Sequence, residues 1–190
     1  MKPEIAADKA VRTATLEAFA DTIVPGEKRS PDDRAIAGVS EGGGAVAAGA
    51  VPLLETDAGG MEPMLDDLAT ALNAHAVKYR EEKGLPSDDS VPAFVSLDYD
   101  DRITLLRRLL DPEHPEKQLW AGLAMFSNMA FDTNAHMHTV DAIRTGQPGL
   151  LTVAWRPPDE DGIWRFPNFS YRRQTARVHP DTDPITGSLA

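Results

Sequence analysis

The segment QLWAGLAMFSNMAF, Gln118–Phe131, runs for fourteen residues without a charge. A stretch that is apolar on most of its sides predicts a helix at the centre of a bundle. It falls short of the length that crosses a bilayer, and nothing else in the chain approaches that length. The polar continuation DTNAHMHTVDAIRT predicts that the helix runs on until Gly146 stops it.

Helical spacing recurs through the preceding residues. Leu16, Phe19, Ala20 and Ile23 share one face of a helix predicted over about 13–24, stopped by Pro25-Gly26. An Ala-rich helix is expected over about 45–55. The clearest pattern begins near Glu62, with Pro63 suited to a first turn and Gly84 closing it. Its stripe of Met64, Leu65, Leu68, Leu72, Ala76 and Tyr79 includes His75, read as a core histidine with a backbone partner. SLDYDDRITLLRRLLD predicts a further helix capped near Ser96 or Asp98. Ile103, Leu106, Leu109 and Leu110 face inward, and Arg102, Arg107 and Arg108 face solvent. The expected fold class is therefore all-α, a compact bundle of about five helices over residues 1–148. Residues 149–190 lose helical period and carry many prolines. They are read as an extended tail wrapped over that domain.

Composition narrows the chemistry. The net charge of −11 opposes general nucleic-acid binding and docking on anionic membranes. The absence of cysteine excludes disulfides, thiolate nucleophiles and thiolate metal sites. No apolar leader or twin-arginine pair stands near the N-terminus, so a cytoplasmic protein is expected. Gly42–Gly44 form a cluster without the strand or Lys-Ser/Thr of a phosphate-binding loop. No GxSxG elbow marks a nucleophile.

Candidate chemistry gathers late in the predicted central helix. Asp132 and His136 lie four apart, and His138 and Asp141 three apart, each pair on a shared helical face. Carboxylate–imidazole pairs can bind metal, exchange protons or simply hydrogen-bond. His136 and His138 point to nearly opposite sides, and no motif supplies three convergent ligands. The four are expected to form hydrogen-bonded pairs without metal. The tail carries a different signal. From Trp155 to His179 it holds five arginines against three acids, net +2, which leaves −13 for the remainder. Aromatic and arginine side chains carry much of the binding energy at protein interfaces. Trp155, Trp164, Arg165, Phe169, Tyr171, Arg172 and Arg173 are accordingly the candidate partner-binding residues.

LEAFADTIVPG at 16–26, followed much later by FPNFSYRR at 166–173, resembles the gluconate 2-dehydrogenase subunit 3 family. AIAGVSEGGGAVAAGAVPLLE, HPEKQLWAGLAMFSNMAFDTNAHMHT and GQPGLLTVAW are similar to an actinobacterial branch of it carried as a domain of unknown function. The resemblance implies a small, helical, non-catalytic subunit that helps a large flavin-dependent oxidoreductase of the glucose–methanol–choline class mature or stay stable. FAD and the catalytic histidine would belong to that partner, and this chain would hold no cofactor. The sequence departs from the pattern in lacking both the twin-arginine leader and any cysteine for a disulfide.

Asp21 sits in the last turn of the first predicted helix, where the helix dipole disfavours an acid. Its carboxylate is expected to accept from the EKRSPDD loop backbone or from an arginine. Thr22 is expected to bond back to a carbonyl one turn earlier, so the two form a polar anchor for the loop. Two other functions remain open on the residues alone. One is a stand-alone enzyme or small-molecule binder using Asp132, His136, His138 and Asp141. The other is a homodimer docked through its tails.

Overall fold

Among the described residues the regular structure is eight α-helices and two short 3₁₀ turns (Asp57–Gly59 and Glu62–Met64), the helices in the chain order α1 (Pro3–Ile23), α2 (Ala50–Leu54), α3 (Leu65–Lys83), α4 (Ala93–Ser96), α5 (Tyr99–Leu109), α6 (Lys117–Thr133), α7 (Thr139–Arg144) and α8 (Pro148–Thr152). The structure is a computed structural model that describes residues 3–153 together with Pro180 and Asp181. Among the described residues there is no strand. The chain divides into two units, Met1–Trp155 and Arg156–Ala190, and all eight helices belong to the first. No helix among the described residues is long and apolar enough to cross a membrane.

The periodic stripes form the core. Leu16 and Phe19 of α1 meet Leu65, Leu68 and Leu72 of α3, Leu105, Leu106 and Leu109 of α5, and Trp120 and Leu123 of α6. Phe19 and Trp120 lie with ring centroids 6.4 Å apart. A second contact, between α1, α2 and α6, uses Ala20, Ala50, Leu53 and Ala130, where small side chains let the helices approach closely. Gly84 closes α3 in the left-handed region at φ 64°. Asp98 caps α5, its carboxylate accepting from the Asp101 backbone N–H.

Four elements differ from the sequence expectation. The first helix begins at Pro3, about ten residues ahead of the predicted start near 13, and ends at Ile23. The long apolar segment does not continue to Gly146. It breaks at Asn134, which adopts φ 48° and is fully buried. Its side-chain amide donates to the Ala48 carbonyl at 2.9 Å and to Gln147 Oε1 at 3.2 Å, so tertiary partners hold the break in place. Residues 45–49 form turns, and only Ala50–Leu54 of the Ala-rich stretch is helical. Residues 148–152 are helical where an extended tail was expected to begin. Pro148 starts α8, Leu150 is buried, and Gly149 presses against α6. A Cβ at position 149 would lie 1.6 Å from the Phe131 carbonyl oxygen, so only glycine fits.

α6 is also not enclosed on all sides. It packs on α1, α2 and α8 through Trp120, Leu123, Ser127 and Ala130. Gln118, Leu119, Met125 and Asn128 remain exposed, Met125 at 58%.

Candidate functional site

The most heavily bonded polar site lies where α1 runs into the long loop at residues 24–49. Asp21, 1% exposed, accepts from the Gly26 backbone N–H at 3.1 Å through one carboxylate oxygen. Its other oxygen accepts from the Ala37 N–H at 2.8 Å. The two donors flank the EKRSPDD loop, and the acid closes that loop against the end of α1. Burial raises the Asp21 pKa above 3.8, opposed by the two backbone N–H groups and by the charge of Arg102. Thr22 donates to the Ala18 carbonyl at 2.7 Å. Gly44 threads past the same corner, where the Val24 carbonyl oxygen would be 2.4 Å from any Cβ at that position.

Arg102 approaches the loop from α5. The sequence pattern placed it toward solvent, yet it is 3% exposed. Its guanidinium donates to four backbone carbonyls, those of Leu97, Ala35, Arg34 and Val95, at 2.7–3.0 Å. Arg34 and Ala35 belong to the loop that Asp21 holds at Ala37. An anion and a cation thus grip one loop by its donors and its acceptors. On the loop's outer side, Arg29 bridges Glu17 and Asp33, and Asp33 accepts from the Ala35 and Ile36 N–H groups. An open depression of about 450 Å³ beside this loop is lined by Glu17, Arg29, Asp33, Arg34, Val91 and Pro92, among others. Its arginines are already answered by Glu17, Asp33 and Asp88. This region is a structural clamp.

The four residues predicted to pair at the end of the central helix are not brought together. No hydrogen bond or ion pair joins their side chains to one another. Asp132 is exposed on α6. The break at Asn134 removes the four-residue helical spacing that would have set it beside His136. His136 lies over Gly49, where burial pushes its pKa down and its Nδ1 has no protein partner. His138 caps α7, its Nδ1 accepting from the Val140 N–H at 3.3 Å. Asp141 pairs with Arg144 at 2.8 Å on the surface.

Sequence reasoning missed a second polar group, at the start of α6. His75 of α3 has a side-chain partner and not a backbone one. Its Nε2 lies 2.7 Å from Glu116 Oε2, which also accepts from the Trp120 indole N–H at 3.2 Å. His114 stands edge-on to His75 with ring centroids 5.8 Å apart, and the Glu116 backbone N–H donates to its Nδ1 at 3.2 Å. The hydrogen bond from His75 holds the Glu116 carboxyl below the usual range, against the effect of burial and with help from Trp120. One nitrogen from each imidazole and one carboxylate oxygen lie within 4.8 Å of one another. The only local trace in the sequence is the His-Pro-Glu of HPEK. The second imidazole enters from 41 residues upstream.

The remaining candidates, Trp155, Trp164, Arg165, Phe169, Tyr171, Arg172 and Arg173, lie outside the described residues. Comparison with curated proteins and with solved structures finds no match. A family model does match, over residues 10–190 and so across nearly the whole chain. The chain therefore belongs to that family, a family of unknown function (DUF5987).

Proposed function

We propose that this protein is a non-catalytic accessory subunit of a larger flavin-dependent oxidoreductase of the glucose–methanol–choline class, with FAD carried by that partner. The reading starts from the motif resemblance to gluconate 2-dehydrogenase subunit 3. The observation that carries it is the outer face of α6. In a chain of net charge −11, this helix bears no charge from 118 to 131 and leaves Leu119 and Met125 exposed. Depletion of charge and enrichment in methionine mark the centres of protein interfaces. A charge-free helix face with a long exposed methionine suits contact with a protein surface better than contact with water.

The test is co-expression with a flavin oxidoreductase encoded beside this gene. A stoichiometric yellow complex is expected, and Met125→Glu should weaken it by about tenfold or more while leaving the thermal midpoint of the free chain unchanged. Failure of the two chains to associate, or association indifferent to charges on α6, would remove the basis of the proposal. The alternative of an enzyme built on Asp132, His136, His138 and Asp141 has no observation in its favour, because these side chains point into separate environments.

A further inference from the structure

The His75, His114 and Glu116 side chains form a prepared ligand set. From this geometry we infer that the protein binds one divalent transition-metal ion, of the zinc, cobalt or nickel type, between α3 and the turn that leads into α6.

The first argument is distance. Imidazole nitrogen and carboxylate oxygen bind zinc at about 2.0–2.2 Å, so tetrahedral ligand atoms sit roughly 3.3–3.5 Å apart. Here the His75–Glu116 separation is 2.7 Å, and all three ligand atoms fall within 4.8 Å of one another. These values bracket the required span, and side-chain rotations of well under a rotamer step would reach it. The ion would take the place of the hydrogen bond between His75 Nε2 and Glu116. The ring proton of His75 would move to Nδ1, so the imidazole binds in its neutral form.

The second argument is support behind the ligands. Metal-binding residues keep their orientation through outer hydrogen bonds and packing. Glu116 is held by the indole N–H of Trp120, which is fully buried in the core. His75 rests edge-on against the same indole, with centroids 5.8 Å apart. His114 Nδ1 accepts from the Glu116 backbone N–H in the free chain, and because a neutral imidazole has a single free lone pair, ligation by His114 would replace that hydrogen bond. All three ligands are half-buried, so water can take the fourth position that three protein ligands leave.

The third argument is the donor set. Two imidazoles and one carboxylate favour borderline ions over magnesium or calcium, which prefer oxygen alone. Joining α3 to the turn before α6, the ion would also tie together two elements whose side chains share the core around Trp120 and Leu123.

The test is titration of the untagged full chain with cobalt(II), followed by its visible absorption, and with zinc(II) by calorimetry. One equivalent of each should bind, with no measurable binding of magnesium. Zinc should also raise the thermal midpoint. His114→Gln keeps an acceptor for the Glu116 N–H, so it preserves the turn while removing a ligand. It and Glu116→Gln should each weaken binding by more than about 100-fold and abolish the thermal shift. The double variant His136→Ala/His138→Ala should bind as the parent does. Binding retained in His114→Gln and Glu116→Gln, binding lost in the His136/His138 variant, or no binding by the parent chain would each overturn the inference.

Discussion

One carboxylate, that of Asp21, answers two backbone donors from opposite sides of a loop. Asparagine can accept from one of them but not both, so Asp21→Asn leaves a buried N–H unsatisfied. The expected loss is about 1–3 kcal/mol, and Asp21→Ala should lose more. Burial sets the sign of the pH dependence. Because the folded state raises the Asp21 pKa above 3.8, it holds this proton more tightly than the unfolded chain does. The Asp21 contribution to stability is then greatest below 3.8 and falls as pH rises through the raised value. The Asp21→Asn penalty, read from urea midpoints, should shrink across that window. Asp33 runs the other way. Burial works against it, but the Arg29 guanidinium and the Ile36 and Ala35 N–H groups outweigh burial and lower its pKa. Its contribution is present above 3.8 and lost as pH falls through the lowered value. Arg102 is the second residue on which the loop depends. Lysine cannot reach four carbonyls that lie around a planar fork, so Arg102→Lys should cost at least about 2 kcal/mol in denaturant unfolding.

At the scale of the element, the break between α6 and α7 decides where the late histidines go. Asn134→Gly relieves the left-handed strain but loses both amide bonds, whereas Asn134→Ala adds strain of roughly 1–2 kcal/mol to the same loss. Alanine should therefore be the worse substitution by that difference, a comparison that urea midpoints of the two variants can make. Gly149→Ala should detach α8 from α6, seen as faster amide exchange in Leu151 and Val153, whose N–H groups close that helix. Leu16, Phe19, Leu68 and Leu72 were legible in the sequence because helical spacing reports a buried face directly. Asn134 was not, since an asparagine can sit within a helix or end one, and its deciding partners, Ala48 and Gln147, are remote or lie past the break. Arg102 was misread for a related reason. Spacing along α5 says which way a side chain leaves the helix, but not that a loop from residues 34–35 will cover it. The His75–Glu116 pair depends on two helices meeting, which no local pattern encodes.

For the molecule as a whole, the proposed function assigns association to the uncharged face of α6 and leaves the clamped loop beside α1 to folding. Charge placed at the exposed positions Leu119 or Met125 of α6 should alter association and leave folding alone. Changes at Asp21 or Arg102 should do the reverse. The clamp has an engineering corollary. The loop's ends are fixed from beneath at Gly26 and at Arg34–Ala37, and Pro31 and Asp32 at its outer turn are exposed. Foreign sequence can be spliced in at Pro31-Asp32, where it interrupts the turn bond from the Asp33 N–H to the Ser30 carbonyl and the pairing of Arg29 with Asp33. Doubling the seven residues 27–33 adds about 0.6 kcal/mol of closure entropy. The same insertion between Ile36 and Ala37 would pull one of the two donors off Asp21. An epitope grafted at the first point should leave the urea midpoint nearly unmoved, while at the second it should lower it as Asp21→Asn does, which makes the outer turn of this loop a site for carrying tags or probes.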